Sequence, residues 1–356
     1  MRPAILLLAA LICAAYQGRE GVSVSIPASP GGSCSALLPD GRSLVSGGRN
    51  SEGPLAVAGY FGRDGEITPA APMLEARNGH VCTALQDGTV LVAGGTGKSG
   101  PTSSAEIFHP DTNTWTPTAG MLTARTGAAA IPLKNGMALI AGGEVLGRAV
   151  STLESFDPAS GRFEQVRGSL SAPRARHAIA VLEDGRVVIA GGFDSGQALY
   201  SIDLYDPSEG VVTFAGQMSI PRANFTATAL PGGKVLFAGG TDGRSELASA
   251  EVFDVATRTV TATSPMSIPR QRHIAVRIAG GERVLVASGS AITAETFDLS
   301  TGAFQPAEEV PAGEAAGVTV TVGVLTPDGE VRARKTYHFR SSASATAGNS
   351  TTDTVK

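Results

Sequence analysis

Cysteine is nearly absent, with 3 in 356 residues, and one of these, Cys13, lies in an N-terminal apolar run. Cys34 and Cys82 remain, too few for a small disulfide-built scaffold. Aromatic residues make up 5% of the chain, with a single Trp, and charged residues 17%, against the roughly 25% usual in globular proteins. A net charge of −4 offers no basic footprint, so nucleic acid is not expected as a partner. Beyond Ala15 no run approaches the ~18 apolar residues of a membrane-crossing helix, and no stretch keeps a helical period. The chain also lacks the G-x-S-x-G elbow, H-E-x-x-H, the P-loop and the dinucleotide-binding glycine pattern. What it has in plenty is glycine (45) and proline (21), within 42% hydrophobic residues. That apolar content argues against disorder, and the absence of a three-residue glycine period excludes collagen.

Arg2 followed by the uncharged run Pro3–Ala15, ending Cys13-Ala14-Ala15, has the form of a secretory signal cleaved before Tyr16. A lipidated Cys13 is the weaker reading, because Ile12 is bulky where a small residue is needed. The expected organisation is a signal over 1–15, one domain over 21–340 and a Ser/Thr/Ala-rich disordered tail over 341–356. The mature chain is expected to be a soluble, exported (extracellular or periplasmic) monomer without a membrane span. Asn224-Phe225-Thr226 and Asn349-Ser350-Thr351 fit the glycosylation acceptor pattern. Cys34 and Cys82 sit in similar apolar segments of the chain. Export permits a disulfide, but two small buried thiols are the expectation.

Self-similarity dominates the sequence. LLPDGRSLVSGG (37–48), ALQDGTVLVAGG (84–95), PLKNGMALIAGG (132–143), VLEDGRVVIAGG (181–192), ALPGGKVLFAGG (229–240) and IAGGERVLVASG (278–289) are copies of one unit. Each is an apolar run, a turn of the Asp-Gly or Asn-Gly kind and a second apolar run, the strongest local hairpin signal. The glycine pairs Gly47-Gly48, Gly94-Gly95, Gly142-Gly143, Gly191-Gly192 and Gly239-Gly240 are spaced by 47, 48, 49 and 48 residues. Such pairs suit close backbone approach or positive φ at a strand end. Downstream, segments such as SAEIFHPDTNTW (104–115) and TLESFDPASGRF (152–163) read as a third strand, a turn and a fourth strand. Four short strands per repeat describe a propeller blade.

With Arg77–His80, Arg174–His177 and Arg270–His273 opening successive units, the chain resembles the kelch-repeat family over about residues 31–306. The resemblance implies an all-β kelch propeller. Another strand–turn–strand unit lies at 317–339, and VSIPASPGG (24–32) echoes the fourth-strand segment MSIPRAN (218–224). The preferred count is therefore seven blades, the last degenerate and shared by the termini, which would remove free sheet edges. Six blades with an added hairpin is the alternative.

Residues repeated in nearly every blade are assigned to structure. These are the glycine pairs, together with Arg77, Arg125, Arg174, Arg222 and Arg270. The arginines recur with Glu106, Glu154, Asp203, Glu251 and Glu295, as blade-bracing ion pairs or backbone hydrogen bonds. His80, His177 and His273 are read as packing residues rather than metal ligands, because Ala128 and Phe225 take their place in the intervening blades. His109 and His338 carry no signal. Residues that break the repeat are the binding candidates: Arg176 and Arg272, with Asn224 between them, suit a carboxylate or acidic peptide. They share a face with the variable loops after each glycine pair, which the resemblance implies is the ligand mouth. Galactose oxidase-like propellers need copper held by His and Tyr plus a thioether-linked Cys. Tyr60, Tyr200, Tyr205 and Tyr337 do not pair with a His in the sequence, so no cofactor is expected. Sialic acid mutarotase-like propellers need only an Arg and a carboxylate at the mouth. The leading expectation is a binding module for a protein or glycan; the alternative is a carbohydrate-active enzyme.

Overall fold

The structure, a computed structural model, describes residues 22–28, 32–62, 67–278, 282–289, 293–307, 318–325 and 331–339. The signal segment, the tail over 341–356, the Asn349 acceptor and the turn at Asp328 lie outside the described residues.

Six four-stranded antiparallel sheets follow one another along the chain. Blade 1 comprises Cys34–Leu37, Ser43–Ser46, Ala58–Phe61 and Ile67–Pro69. Blade 2 runs from Val81–Ala84 to Thr114–Thr118 and blade 3 from Ala129–Pro132 to Arg162–Gln165. Blade 4 runs from Ala178–Val181 to Val211–Gln217, blade 5 from Thr226–Leu230 to Thr259–Ala262 and blade 6 from Ile274–Ile278 to Ala303–Pro306. The hairpin turns form because an aspartate or asparagine accepts the backbone N–H two residues on. Asp40 takes it from Arg42 at 2.9 Å, Asp87 from Thr89 at 3.0 Å and Asn135 from Met137 at 3.2 Å, each with the following glycine at positive φ.

First strands of successive blades lie side by side, so they are innermost. The larger hydrophobic clusters each span a pair of blades: Cys34, Leu44, Val90 and Phe108 join blades 1 and 2, and Ile131, Leu139, Ile179 and Ile189 join blades 3 and 4. Second strands are therefore covered on both faces, as in Val90–Ala93 and Ala138–Ala141, where every residue is buried. This is why they read as continuous apolar runs instead of alternating ones. Aromatic pairs fasten the fourth strand to the third in three blades: Phe108–Trp115 at 4.7 Å, Phe156–Phe163 at 4.8 Å and Phe297–Phe304 at 5.0 Å between ring centres.

The termini share a sheet. Val22–Ala28 pairs in parallel with Val318–Leu325, starting at Val22↔Val318, and Val318–Leu325 pairs antiparallel with Val331–Phe339. The sheet has three strands, and its parallel pair is foreign to the all-antiparallel blades, so it is not a seventh copy of the repeat. Six blades, the alternative expectation, are what the described residues form.

Cys34 and Cys82 are not thiols. They form a disulfide, with Cα atoms 5.9 Å apart. The reason is a register offset: the first two glycine pairs are 47 residues apart and the two cysteines 48. One extra residue reverses the face of a strand. Cys34 therefore points from blade 1 toward blade 2 while Cys82 points back, and the two meet at the inter-blade boundary.

Candidate functional site

Each connection between blades is built on four consecutive residues with separate duties. In Arg174-Ala175-Arg176-His177 the first side chain braces. Arg174 Nη1 donates to the carbonyls of Gly191 and Ser201, both at 3.0 Å, and Nη2 donates to Ser201 Oγ at 2.8 Å and Asp203 Oδ2 at 2.6 Å. Its own carbonyl accepts from Gly143 N at 2.8 Å in the preceding blade. One arginine thus joins the glycine pair of one blade to that of the next. Arg77, Arg125, Arg222 and Arg270 repeat the grip, reaching Glu106, Glu154, Glu251 and Glu295 at 2.6–3.1 Å. The acid also caps the turn before the arginine: Glu106 accepts Leu74 N at 2.7 Å and Glu154 accepts Leu122 N at 2.8 Å. All five guanidinium groups are buried. Burial pushes the Arg174 pKa down and the Asp203 pKa up, and the mutual attraction opposes both shifts.

The second residue pairs by backbone with the loop after the glycine pair, Ala175 N donating to Phe193 O at 3.0 Å and Phe193 N returning to Ala175 O at 2.8 Å. The fourth residue turns inward. His80, His177, Phe225 and His273 pack their rings against the first glycine of the previous blade's pair. A Cβ on Gly47, Gly142, Gly191 or Gly239 would meet a ring carbon at 2.6–2.8 Å. His80 Nε2 lies 3.1 Å from Ser46 Oγ, and His273 Nε2 lies 2.9 Å from Thr226 Oγ1. Burial drives all three histidine pKa values down to about 3, helped by the neighbouring brace arginines.

The third residue turns outward. Gly32, Gly79, Gly127, Arg176, Asn224 and Arg272 all hold φ between 52° and 78°. Their backbones form a relay around the inner rim. Gly79 N donates to Gly32 O at 2.6 Å, Gly127 to Gly79 and Arg176 to Gly127 at 2.9 Å, Asn224 to Arg176 at 3.0 Å and Arg272 to Asn224 at 2.8 Å. Blades 1–3 fill this hinge with glycine, the residue it suits; blades 4–6 place side chains there. A non-glycine residue in this region costs on the order of 1 kcal/mol or more, and asparagine tolerates it better than arginine.

Arg176, Asn224 and Arg272 are thus brought together on the face that also carries the variable loops. Arg176 Nη2 lies 3.5 Å from Glu144 Oε1, both side chains about one-quarter exposed. Asn224 Nδ2 donates to Gln271 Oε1 at 3.2 Å, and Gln271 Nε2 donates to Glu246 Oε1 at 3.0 Å. The Arg272 pKa is pushed down by burial and by the charge of Arg176, against the pull of Glu246. Two guanidiniums near enough to repel favour an anion between them. Glu144, Glu246 and Gln271 have no counterpart in the sequence analysis, because they come from loop positions without a repeat signal. The Asn224 acceptor pattern is closed off in the fold, since Thr226 is buried against His273.

The donors do not fit the copper centre that an oxidase-like propeller implies. Cys34 and Cys82 are bonded to each other, and the three buried histidines each serve a separate blade boundary. Among the described residues no three His, Cys, Asp or Glu side chains converge as a metal site. The described residues contain no helix long and apolar enough to cross a membrane.

The Kelch motif family matches residues 77–122 and 173–219. Among solved structures, the chain is similar to YjhT, with 14% identity and a TM-score of 0.60 over 77% of this chain and 96% of that one. It is also similar to a fungal alcohol oxidase of the AA5 family in complex with copper, with 16% identity and a TM-score of 0.68 over 91% and 77% of the two chains. At these identities the likeness shows the fold alone. No curated protein matches by sequence. The matched stretches begin at Arg77 and one residue before Arg174, both brace arginines, and the other blade connections repeat the same four-residue device; the chain carries Kelch motifs within a β-propeller fold.

Proposed function

We propose that this propeller is an exported binding module that captures an anionic protein or glycan ligand on the face carrying the hinge residues. One observation carries the reading: blades 4–6 put Arg176, Asn224 and Arg272 at a left-handed position that blades 1–3 fill with glycine. Glycine suffices at this hinge in three blades, whereas here the chain accepts a strained backbone and sets charged and amide groups on the loop-bearing face beside Glu144 and Gln271. Their chemistry is that of carboxylate recognition, two guanidiniums flanking an amide. The Cys34–Cys82 disulfide supports export, because such bonds persist outside the reducing cytosol.

The test replaces Arg176 and Arg272 by the residue of blades 1–3. The R176G/R272G variant is expected to melt at or above the temperature of the parent and to lose capture of acidic peptides and acidic glycans on an array. Undiminished capture overturns the reading. A second reading, an exported carbohydrate-active enzyme, draws on the carboxylates Glu144 and Glu246 beside the two arginines, a pairing suited to acid–base isomerisation. Accelerated exchange of sugar anomers, followed by NMR and lost in E144Q or E246Q, would favour it.

A further inference from the structure

The face opposite the blade connections carries the hairpin turns, and a cavity of about 360 Å³ opens there between blades 3 and 4. That volume falls within the ~300–1,000 Å³ of small-molecule sites. Lys134 and Asn135 line it from the blade 3 hairpin, Asp184 and Arg186 from the blade 4 hairpin, and Asp206 and Ser208 from the turn between the third and fourth strands of blade 4. Lys134 is held in place. Its stem crosses Gly185, where a Cβ would meet Cδ at 3.6 Å, and its Nζ donates to the carbonyl of Glu183. A carbonyl bears no charge, so the ammonium stays uncompensated.

Blade 4 disposes of its charges differently from the two blades that follow. Lys234 stands across the sheet from Asp254 and pairs with it, Nζ to Oδ2 at 4.0 Å, and Arg283 pairs likewise with Asp298, Nε to Oδ2 at 3.5 Å. Arg186 and Asp206 hold the same two positions in blade 4. Arg186 turns instead to its own hairpin, Nη2 lying 2.7 Å from Asp184 Oδ2, and blade 5 has Gly232 in the place of that aspartate. Asp206 accepts Ser208 N and Oγ on Oδ1 at 2.9 and 2.6 Å. These bonds hold its pKa below the usual carboxylate range, with the charge of Arg186 a lesser influence. Among the described residues no cation forms an ion pair with Asp206. Once Arg186 and Asp184 offset each other, an ammonium from blade 3 and a carboxylate from blade 4 line the same cavity.

We propose that this cavity is a second binding site, separate from the loop-bearing face, for a small zwitterion such as a free amino acid or a dipeptide. The ligand's ammonium meets Asp206, and its carboxylate meets Lys134 and the amide of Asn135, whose Oδ1 is already committed to Met137 N. Each ligand charge then has its opposite. A ligand of one sign would leave one wall unmatched, and a neutral sugar would leave both.

The experiment titrates the full chain with L-alanine, L-alanyl-L-alanine, N-acetyl-L-alanine (no ammonium), L-alanine methyl ester (no carboxylate) and methyl α-glucopyranoside. At least one of the two zwitterions is expected to bind about tenfold or more tightly than the blocked forms and the glycoside. Asp206→Asn keeps the turn, because an amide oxygen still accepts Ser208 N, and should erase the preference over N-acetyl-L-alanine. Lys134→Gln copies Gln86, which bridges blades 2 and 3 by donating to Leu133 O and Lys134 O, and should erase the preference over the ester. Asp184→Gly copies blade 5, frees Arg186 to pair with Asp206, and should weaken zwitterion binding about tenfold at the parental melting temperature. Should Asp206→Asn melt lower than the parent, Lys134→Gln decides. Binding of neither zwitterion, equal binding of the blocked forms, preference for the glycoside, or affinity unchanged by these substitutions overturns the proposal. R176G/R272G is expected to bind the zwitterion as the parent does; a loss there would place the ligand on the other face and overturn the proposal too.

Discussion

Arg125 Nη2 and Glu154 Oε1 lie 2.6 Å apart with both side chains about 1% exposed, and the corresponding pair is missing from blade 1 at both ends. Gly59, opposite Val45, stands where Glu106 stands opposite Val92, and one repeat before Arg77 the sequence reads Pro30 in place of an arginine. Joint loss is what buried ion pairs require, because a lone buried charge costs more than the pair contributes.

Removing one partner should therefore be severe. Arg125→Met is expected to lower stability by about 3–5 kcal/mol, and the double variant R125M/E154L by less than the sum of its parts. Urea denaturation of the parent, both single variants and the double variant measures the coupling.

Gly142 holds φ at +57°, and a Cβ there would sit 2.4 Å from Arg174 O and 2.8 Å from the His177 ring. Gly147 holds φ at +77° with nothing within 4 Å. Gly142→Ala is expected to cost more than about 2 kcal/mol and Gly147→Ala about 1 kcal/mol. A smaller loss at Gly142 than at Gly147 in thermal melts would contradict the packing described.

His80, His177 and His273 stay neutral in the fold down to about pH 3, while in the unfolded chain they take up protons below about pH 6.5. The unfolded state binds more protons, so stability falls as the pH drops through this window, by at most about 1.4 kcal/mol per pH unit for each ring. Ala141 stands where Ser46 serves His80, and His177 Nε2 has no hydroxyl to meet. His177→Phe, the ring blade 5 uses, should leave the protein folded and flatten the pH dependence between 6.5 and 4.5 by one proton's worth. An unchanged slope would show that His177 is not buried neutral.

Reduction of Cys34–Cys82 opens a 48-residue loop, worth about 4 kcal/mol on the chain-entropy account. Cys34→Ser is expected to lower the melting temperature, and reductant should lower that of the parent but not of the variant. Thiol titration of the unfolded parent without reductant should find neither Cys34 nor Cys82 free.

Much of this was legible from repetition. Gly-Gly pairs, Asp-Gly turns and the Arg/Glu recurrence serve nearly every blade, so the sequence prints them again and again. The Ser/Thr two residues before the acid (Ser104, Thr152, Ser201, Ser249, Thr293) recurs just as plainly, and Ser104 Oγ and its counterparts receive the arginine. The disulfide was hidden by one residue of register, which spacing counted in whole repeats does not resolve. Parallel pairing of the N-terminal strand was hidden too, because its echo of MSIPRAN pointed to an antiparallel fourth strand. Glu144 and Glu246 were unreadable because each occurs once, on a loop whose path only the coordinates give, and Gln271 because its place in the connection changes from blade to blade (Asn78, Thr126, Ala175, Ala223).

The outward-turning hinge has an evolutionary corollary. Brace, backbone pair and inward ring on either side of it carry the architecture, and the hinge is strung on a main-chain relay, to which Thr126 Oγ1 adds a bond at Gly79 O. Where space is open, as at Gly127, whose Cβ would meet its nearest neighbour at 3.8 Å, a spoke can be re-lettered at a toll of about one kilocalorie, whereas at Gly79 a Cβ would sit 2.4 Å from Thr126 Oγ1. A new specificity is then a matter of which spokes abandon glycine, and Gly127 is a vacant letter in that alphabet.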